Sequence, residues 1–208
     1  YAWSFDTNIG LIPLTGSGNI PSFTAINTGT TPIVATITVT PTFTNGATNC
    51  IGTSKTFTIT VNPSGQVNQP TNQVVCNNTA TNAVNFSTTN TNGTTSYAWS
   101  INTNIGLSPL TGTGDLPSFT AINTGTTPIT ATITVTPTYN GTSICNGTSK
   151  TFTITVNPSG QVNQPTNQVV CNNTATSTVN FSTTNTVGTT SYAWSFDTNI
   201  GLIPLTGS

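Results

Sequence analysis

The residues able to do chemistry are few, and their places recur. The chain carries three acids, Asp6, Asp115 and Asp197, two bases, Lys55 and Lys150, and four cysteines, Cys50, Cys76, Cys145 and Cys171, with no histidine or arginine. A glycosidase needs two carboxylates at one place. A hydrolytic triad needs a base beside its nucleophile. Neither can be built here, so the expectation is a non-catalytic chain. Calcium wants several oxygen ligands with charge among them, and zinc wants clustered cysteine and histidine; no metal and no cofactor is expected. A lysine–asparagine cross-link would need a buried acid beside Lys150, for which Asp115 is the sole candidate, and the matching place earlier in the chain holds Asn19. Asn-X-Ser/Thr triplets occur at Asn77, Asn85, Asn92, Asn140, Asn146, Asn172 and Asn180, as chance produces in a chain this rich in Asn and Thr.

Charge excludes further classes. Charged residues are 2% of the chain and the formal net charge is −1, against about a quarter charged in an average globular protein. There is no basic patch to neutralise phosphates and no basic face for an anionic membrane, so neither nucleic acid nor membrane is an expected partner. Disorder usually combines low hydrophobicity with high net charge, whereas 33% of this chain is hydrophobic. The surface must be wetted by Thr, Asn and Ser. Such a surface has little colloidal repulsion, which suits a protein that lives in a chain or fibre. No apolar run approaches the roughly 20 residues of a membrane span.

The elements that place these residues repeat. Trp3, Trp99 and Trp194 are spaced 96 and 95 apart, while Cys50 to Cys145, Cys76 to Cys171 and Lys55 to Lys150 are each 95 apart. Pro41 to Pro137 is 96, so a one-residue length change falls between Pro41 and Cys50, in a stretch rich in Asn, Gly and Thr that reads as a loop. A period near 95 suits a self-contained domain. The linker Val61-Asn62-Pro63-Ser64-Gly65-Gln66-Val67-Asn68-Gln69-Pro70 recurs as Val156 to Pro165 and sets the phase. On it, 1–63 is a repeat lacking its first strands, 64–158 is a complete repeat, and 159–208 lacks its last strands. Residues 192–208 repeat 1–17. An alternative is that the ends of neighbouring chains complete each other by strand exchange, although the overlap would then supply the Trp strand twice.

Within 64–158 the periodicity is that of strands. Tyr97-Ala98-Trp99-Ser100-Ile101 puts three large side chains on one face by period-2 alternation. Ile129 to Val135 and Lys150 to Val156 alternate branched or aromatic apolar residues with threonine, which favours the pleated strand while keeping one face polar. Gln73–Cys76, Ala83–Ser87 and Ser118–Ile122 read as shorter strands. No helical period survives. About seven strands in ~95 residues with frequent turns predict an all-β chain of tandem immunoglobulin-like β-sandwiches. The expected core is Tyr97, Trp99, Ile101, Phe86, Phe119 and Phe152.

The run Tyr97-x-Trp99-x-Ile101, a Gly-rich turn, and the ending Phe152-Thr153-Ile154-Thr155-Val156-Asn157-Pro158 resemble the polycystic-kidney-disease (PKD) domain. They resemble more closely the PKD-like repeats of large secreted surface proteins of Bacteroidota, which usually carry a Val-Cys segment near the start and a cysteine before the last strand, matched by Cys76 and Cys145. The common Trp-Asp-Phe-Gly-Asp-Gly continuation is absent; Trp99-Ser100-Ile101-Asn102-Thr103-Asn104 stands there. The resemblance implies an extracellular spacer or adhesin stalk. On the domain phase, Cys76 is expected to pair with Cys145, and Cys50 and Cys171 with partners outside the sequence. A Cys50–Cys76 bridge across the linker and free thiols are the competing readings. The expected role is a structural repeat of a cell-surface filament, stalk or adhesin shaft, whose partners are neighbouring repeats and identical chains. A polysaccharide-binding module and an accessory domain of a secreted hydrolase are the alternatives.

Overall fold

The structure, a computed structural model, describes residues 1–208 and is all-β, with no helix. In the first unit the strands are β1 (Ala2–Phe5), β2 (Thr15–Ser17), β3 (Ile33–Thr40), β4 (Thr42–Asn45), β5 (Thr48–Ile51) and β6 (Lys55–Val61). In the middle unit they are β7 (Gln73–Cys76), β8 (Thr94–Ile101), β9 (Thr111–Thr113), β10 (Ile129–Asn140), β11 (Ile144–Asn146) and β12 (Lys150–Asn157). The last segment holds only β13 (Trp194–Ser195) and β14 (Thr206–Gly207).

The middle unit shows what the alternation builds. Its main sheet has the order β7-β12-β10-β8-β9, with β11 folded back on β10. Every contact is antiparallel except that of β7 with β12, which is parallel. Along β10 burial alternates strictly, so that Ala131, Ile133, Val135 and Tyr139 are buried between less buried threonines. Phe152, Ile154 and Val156 do the same on β12.

A second layer covers this apolar face. Val84 and Leu116 exchange backbone hydrogen bonds of 2.9 and 3.1 Å, Thr81 N donates to Phe119 O at 2.9 Å, and Asn68 N donates to Ser87 O at 2.8 Å. The sequence predicts strands over Ala83–Ser87 and Ser118–Ile122; in their place the chain makes only two single bridges, Val84 with Leu116 and Ala80 with Thr120. Their Thr and Asn side chains compete for the backbone: Ser118 Oγ donates to Thr81 O, and Thr81 Oγ1 accepts from Phe119 N. The arrangement is compatible with a β-sandwich. The stretch after Pro41, expected as a loop, is the hairpin β4–β5, matched in the middle unit by β10–β11; the length change falls at the hairpin tip.

Two separate cores result. One joins thirteen buried residues from Val67 to Val156, among them Trp99, Ile101 and Phe152, with Tyr97, Phe86 and Phe119 packed against it half-buried. The Phe86 ring lies 5.4 Å from Tyr97 and 6.4 Å from Phe152, centroid to centroid. The other joins six residues of the first unit, Trp3, Phe5, Ile9, Leu11, Ala35 and Ile37. Gly112 pairs with Trp99 across β8 and β9. A Cβ at Gly112 would run into the Trp99 indole, which is why Trp3 and Trp194 also face glycines, Gly16 and Gly207. Trp99→Ala should destabilise the middle unit by about 3–5 kcal/mol, read as a shift of its urea transition by circular dichroism; a shift below 1 kcal/mol would place Trp99 outside the core's energetics.

Candidate functional site

The feature shared by every part of the chain is the boundary between units. At the first boundary Asn90 Oδ1 accepts from Gln66 N at 2.7 Å, and Asn90 Nδ2 donates to Ser64 O at 3.1 Å. At the second, Asn185 Oδ1 accepts from Gln161 N at 2.9 Å and Asn185 Nδ2 donates to Ser159 O at 3.2 Å. The neighbouring backbone then reaches the preceding unit: Thr91 N donates to Thr30 O at 3.0 Å, and Thr186 N donates to Thr126 O at 3.4 Å. One side chain thus fixes the linker to the unit that follows it, and the next residue fixes that unit to the one before.

A hairpin closes the first boundary from the other side. Gly65 N donates to Cys145 O at 3.2 Å, and Asn62 Nδ2 donates to Thr142 Oγ1 and Ser143 O, both at 3.2 Å. A Cβ on Gly147 would strike the Gly65 carbonyl, and one on Gly65 would strike Pro137. Backbone meets backbone there, and only glycine allows it. Pro63 and Gly65 are buried as a result, whereas Pro158 and Gly160 of the second linker are not.

A second asparagine ties each unit's last strand to its core. Asn123, almost fully buried, donates through Nδ2 to Val156 O at 2.7 Å and Thr127 O at 2.8 Å, and its Oδ1 accepts from Gly125 N at 3.0 Å. Asn27 repeats this with Val61 O and Thr31 O, each at 2.8 Å. Asparagine is common in turns, which masks Asn90 and Asn123 in the sequence. Their recurrence at the repeat spacing was the available signal.

The cysteines require a correction. All four are free thiols. Cys76 stands opposite Asn157 at the end of β12, beside the second boundary, while Cys145 stands opposite Tyr139 at the other end of β10, beside the first. Ile129, which pairs with Val156, is ten residues from Tyr139 along β10, about 33 Å at about 3.3 Å per residue. A disulfide needs Cα atoms within about 7 Å. The expected Cys76–Cys145 bridge therefore does not form within the repeat. Its cause is the parallel pairing of β7 with β12, which carries Cys76 to the far pole.

The charged residues do not converge. The Asp115 carboxylate accepts from Phe86 N at 2.8 Å in the second layer, and Lys150 is exposed at the start of β12. Asp6 Oδ1 accepts from Thr36 N at 2.7 Å, and Asn102 Oδ1 accepts from the matching Thr132 N at 2.8 Å. The Thr36 backbone hydrogen bond holds the Asp6 carboxyl below its ordinary value, and burial pushes the Tyr97 phenol up. No protein-family model matches the chain, and no curated protein matches it.

The lowered Asp6 value has a pH consequence. The unfolded chain binds the proton more readily, so the contact stabilises the first unit above about pH 4 and is lost as pH falls through the folded value. Asp6→Asn, the arrangement already present at Asn102, should keep the hydrogen bond and remove this acid-side loss. Thermal melts of the two forms from pH 7 to pH 3 should converge at neutral pH and separate on acidification; parallel melts would show that the carboxylate contributes nothing.

Proposed function

We propose that the chain is a run of tandem immunoglobulin/PKD-like β-sandwich domains, divided as 1–63, 64–158 and 159–208, forming the non-catalytic shaft of an extracellular filament, stalk or adhesin. The observation that carries this is the repeated boundary clamp, Asn90 with Ser64 and Gln66, then Asn185 with Ser159 and Gln161. A hinge would leave the linker in water. Here two hydrogen bonds hold it at each boundary, and a third crosses to the preceding unit, so three matching contacts bear on the angle between successive units each time. An array with a fixed step is what a shaft needs. Near-neutral, threonine-rich outer faces suit close lateral neighbours, and the units' partners are first of all each other.

Small-angle scattering of the chain should then fit a single extended shape, with Asn90→Ala broadening the distribution of sizes while leaving the middle unit's melting within a few degrees. A wild-type chain that already samples all bend angles would sink the shaft reading.

One observation favours a second reading. Thr130, Thr132 and Thr134 lie opposite Thr155, Thr153 and Thr151 on the outer face of β10 and β12, with the Thr130 and Thr155 hydroxyls 2.9 Å apart. Such a hydroxyl array can lie flat against a polysaccharide. Retention on immobilised polysaccharides, lost when Thr132 and Thr153 become alanine, would move the assignment from shaft to binding module.

A further inference from the structure

We infer that a junction between successive repeats is crossed by a disulfide, formed by the cysteine that ends the first strand of one repeat, as Cys76 does, and the hairpin cysteine of the repeat that follows, as Cys145 is. The two halves are seen at the two linkers, both of which lie inside the chain with strands on either side. At the second linker Cys76 stands opposite Asn157. Its neighbour Asn77 donates through N to Asn157 O at 2.8 Å and through Nδ2 to Ser159 Oγ at 3.1 Å. At the first linker the hairpin of the following repeat is held instead. Gly65 N donates to Cys145 O at 3.2 Å, and Asn62 Nδ2 donates to Thr142 Oγ1 and Ser143 O. Asn62-Pro63-Ser64-Gly65 and Asn157-Pro158-Ser159-Gly160 are the same four residues. Both thiols are therefore carried by elements bonded to one tetrapeptide.

The two elements do not compete for the linker. The strand end uses the backbone carbonyl of Asn157 and the hydroxyl of Ser159, whereas the hairpin uses the side-chain amide of Asn62 and the N–H of Gly65. The clamp asparagine takes a third set, Ser64 O and Gln66 N. All three sets can be satisfied at one linker. Both thiols are also reachable. Cys76 is exposed, and Cys145 is half-buried, its Sγ 3.9 Å from the same Ser143 carbonyl that accepts from Asn62. Within a repeat the two cysteines stand at opposite ends of the sheet; they converge only across a linker. Each cysteine recurs at a spacing of 95 residues, which gives successive junctions the same pair.

The bond needs an oxidant, here a small-molecule disulfide acting in an oxidising, extracellular setting. One cysteine thiolate attacks a sulfur of the reagent and displaces one reagent thiol. The second cysteine thiolate attacks the protein sulfur of that mixed disulfide and displaces the other. Two protein thiols give up two protons and two electrons, and the reagent leaves as two thiols. The bridge rests on the reading of the chain as a tandem array and deepens it, adding a covalent lock to the amide clamp at each joint.

Extending the chain by its own repeat tests the bridge. Residues 192–208 repeat 1–17, so residues 18–158 joined after Ser208 continue the sequence in register and supply second copies of Cys50, Cys76 and Cys145. After exposure to oxidised glutathione, peptide mapping without reduction should find Cys76 linked to the added Cys50, and Cys171 linked to the added Cys145. Cys76→Ser, a change at an exposed position, should abolish the first bridge and leave the second. The chain of 208 residues, given the same oxidant at low concentration, should gain no internal bridge, because neither of its linkers is flanked by both cysteines. An extended chain that forms neither bridge overturns the inference, as does Cys76 linked to Cys145 of the same repeat in either chain. These failures leave untouched the bend between successive units, which small-angle scattering reads and on which the shaft reading stands.

Discussion

A sheet that is threonine on one side and branched or aromatic on the other cannot stand alone in water, and everything else in this molecule follows from how its apolar side is covered. In the middle unit the cover is a segment of irregular, hydrogen-bonded chain entering from the linker, running along the edge as β7 and then across the face. Where the cover is present, β10 is a twelve-residue strand continuous through Pro137. Where it is absent the same residues split into β3 and β4 on different sheets, and the β4–β5 hairpin stands away. The far end of the long strand is paired in the middle unit. Thr94, Thr95 and Ser96 hold its last turns by pairing with Asn140, Tyr139 and Thr138, and Tyr139 is anchored through Asn92.

The same dependence explains which parts of the fold were legible. β8, β10 and β12 carry large apolar residues at period 2, and their inward faces can be read from composition because burial and side-chain alternation coincide. The covering segment lacks that signal. Its inward residues, Val67 and Val84, are separated by Asn and Thr that bond to nearby backbone instead of completing a ladder. Sequence therefore gives their burial more readily than their pairing. Cys76 and Cys145 lie at opposite ends of one sheet, and the phase of a repeat says nothing about which pole a residue occupies. Only the parallel sense of β7 against β12 settles that.

The asparagines were illegible for a different reason. In a chain whose polar surface is made of Asn and Thr, a structural asparagine cannot be told from a solvating one by type. Asn123 is distinguished by what surrounds it: almost fully buried, it donates to the Val156 carbonyl in a buried hydrogen bond, and leaving such a group unpaired costs about 1–3 kcal/mol. Asn90 and Asn185 act where two units meet, and a single-domain reading has no place for them. With only three acids and two bases in the chain, amide groups do the work that ion pairs do elsewhere. An amide clamp is indifferent to pH and only weakly sensitive to salt, unlike exposed ion pairs.

That choice bears on how one unit connects to the next. Each linker lies between two cysteine-bearing elements, the strand that ends a unit's edge and the hairpin of the unit that follows, and each element is seen at one boundary of this chain: the Cys145 hairpin at the first and the Cys76 strand at the second. Since Val61–Pro70 and Val156–Pro165 are the same sequence, the two boundaries are two views of one junction. Laid over each other they place both thiols around a single linker while separating the thiols of any one repeat by the length of a sheet. A bridge drawn within a repeat would stiffen a unit already closed by its core; a bridge drawn across the linker would lock the one joint where an array under tension could otherwise open. The register excludes the first.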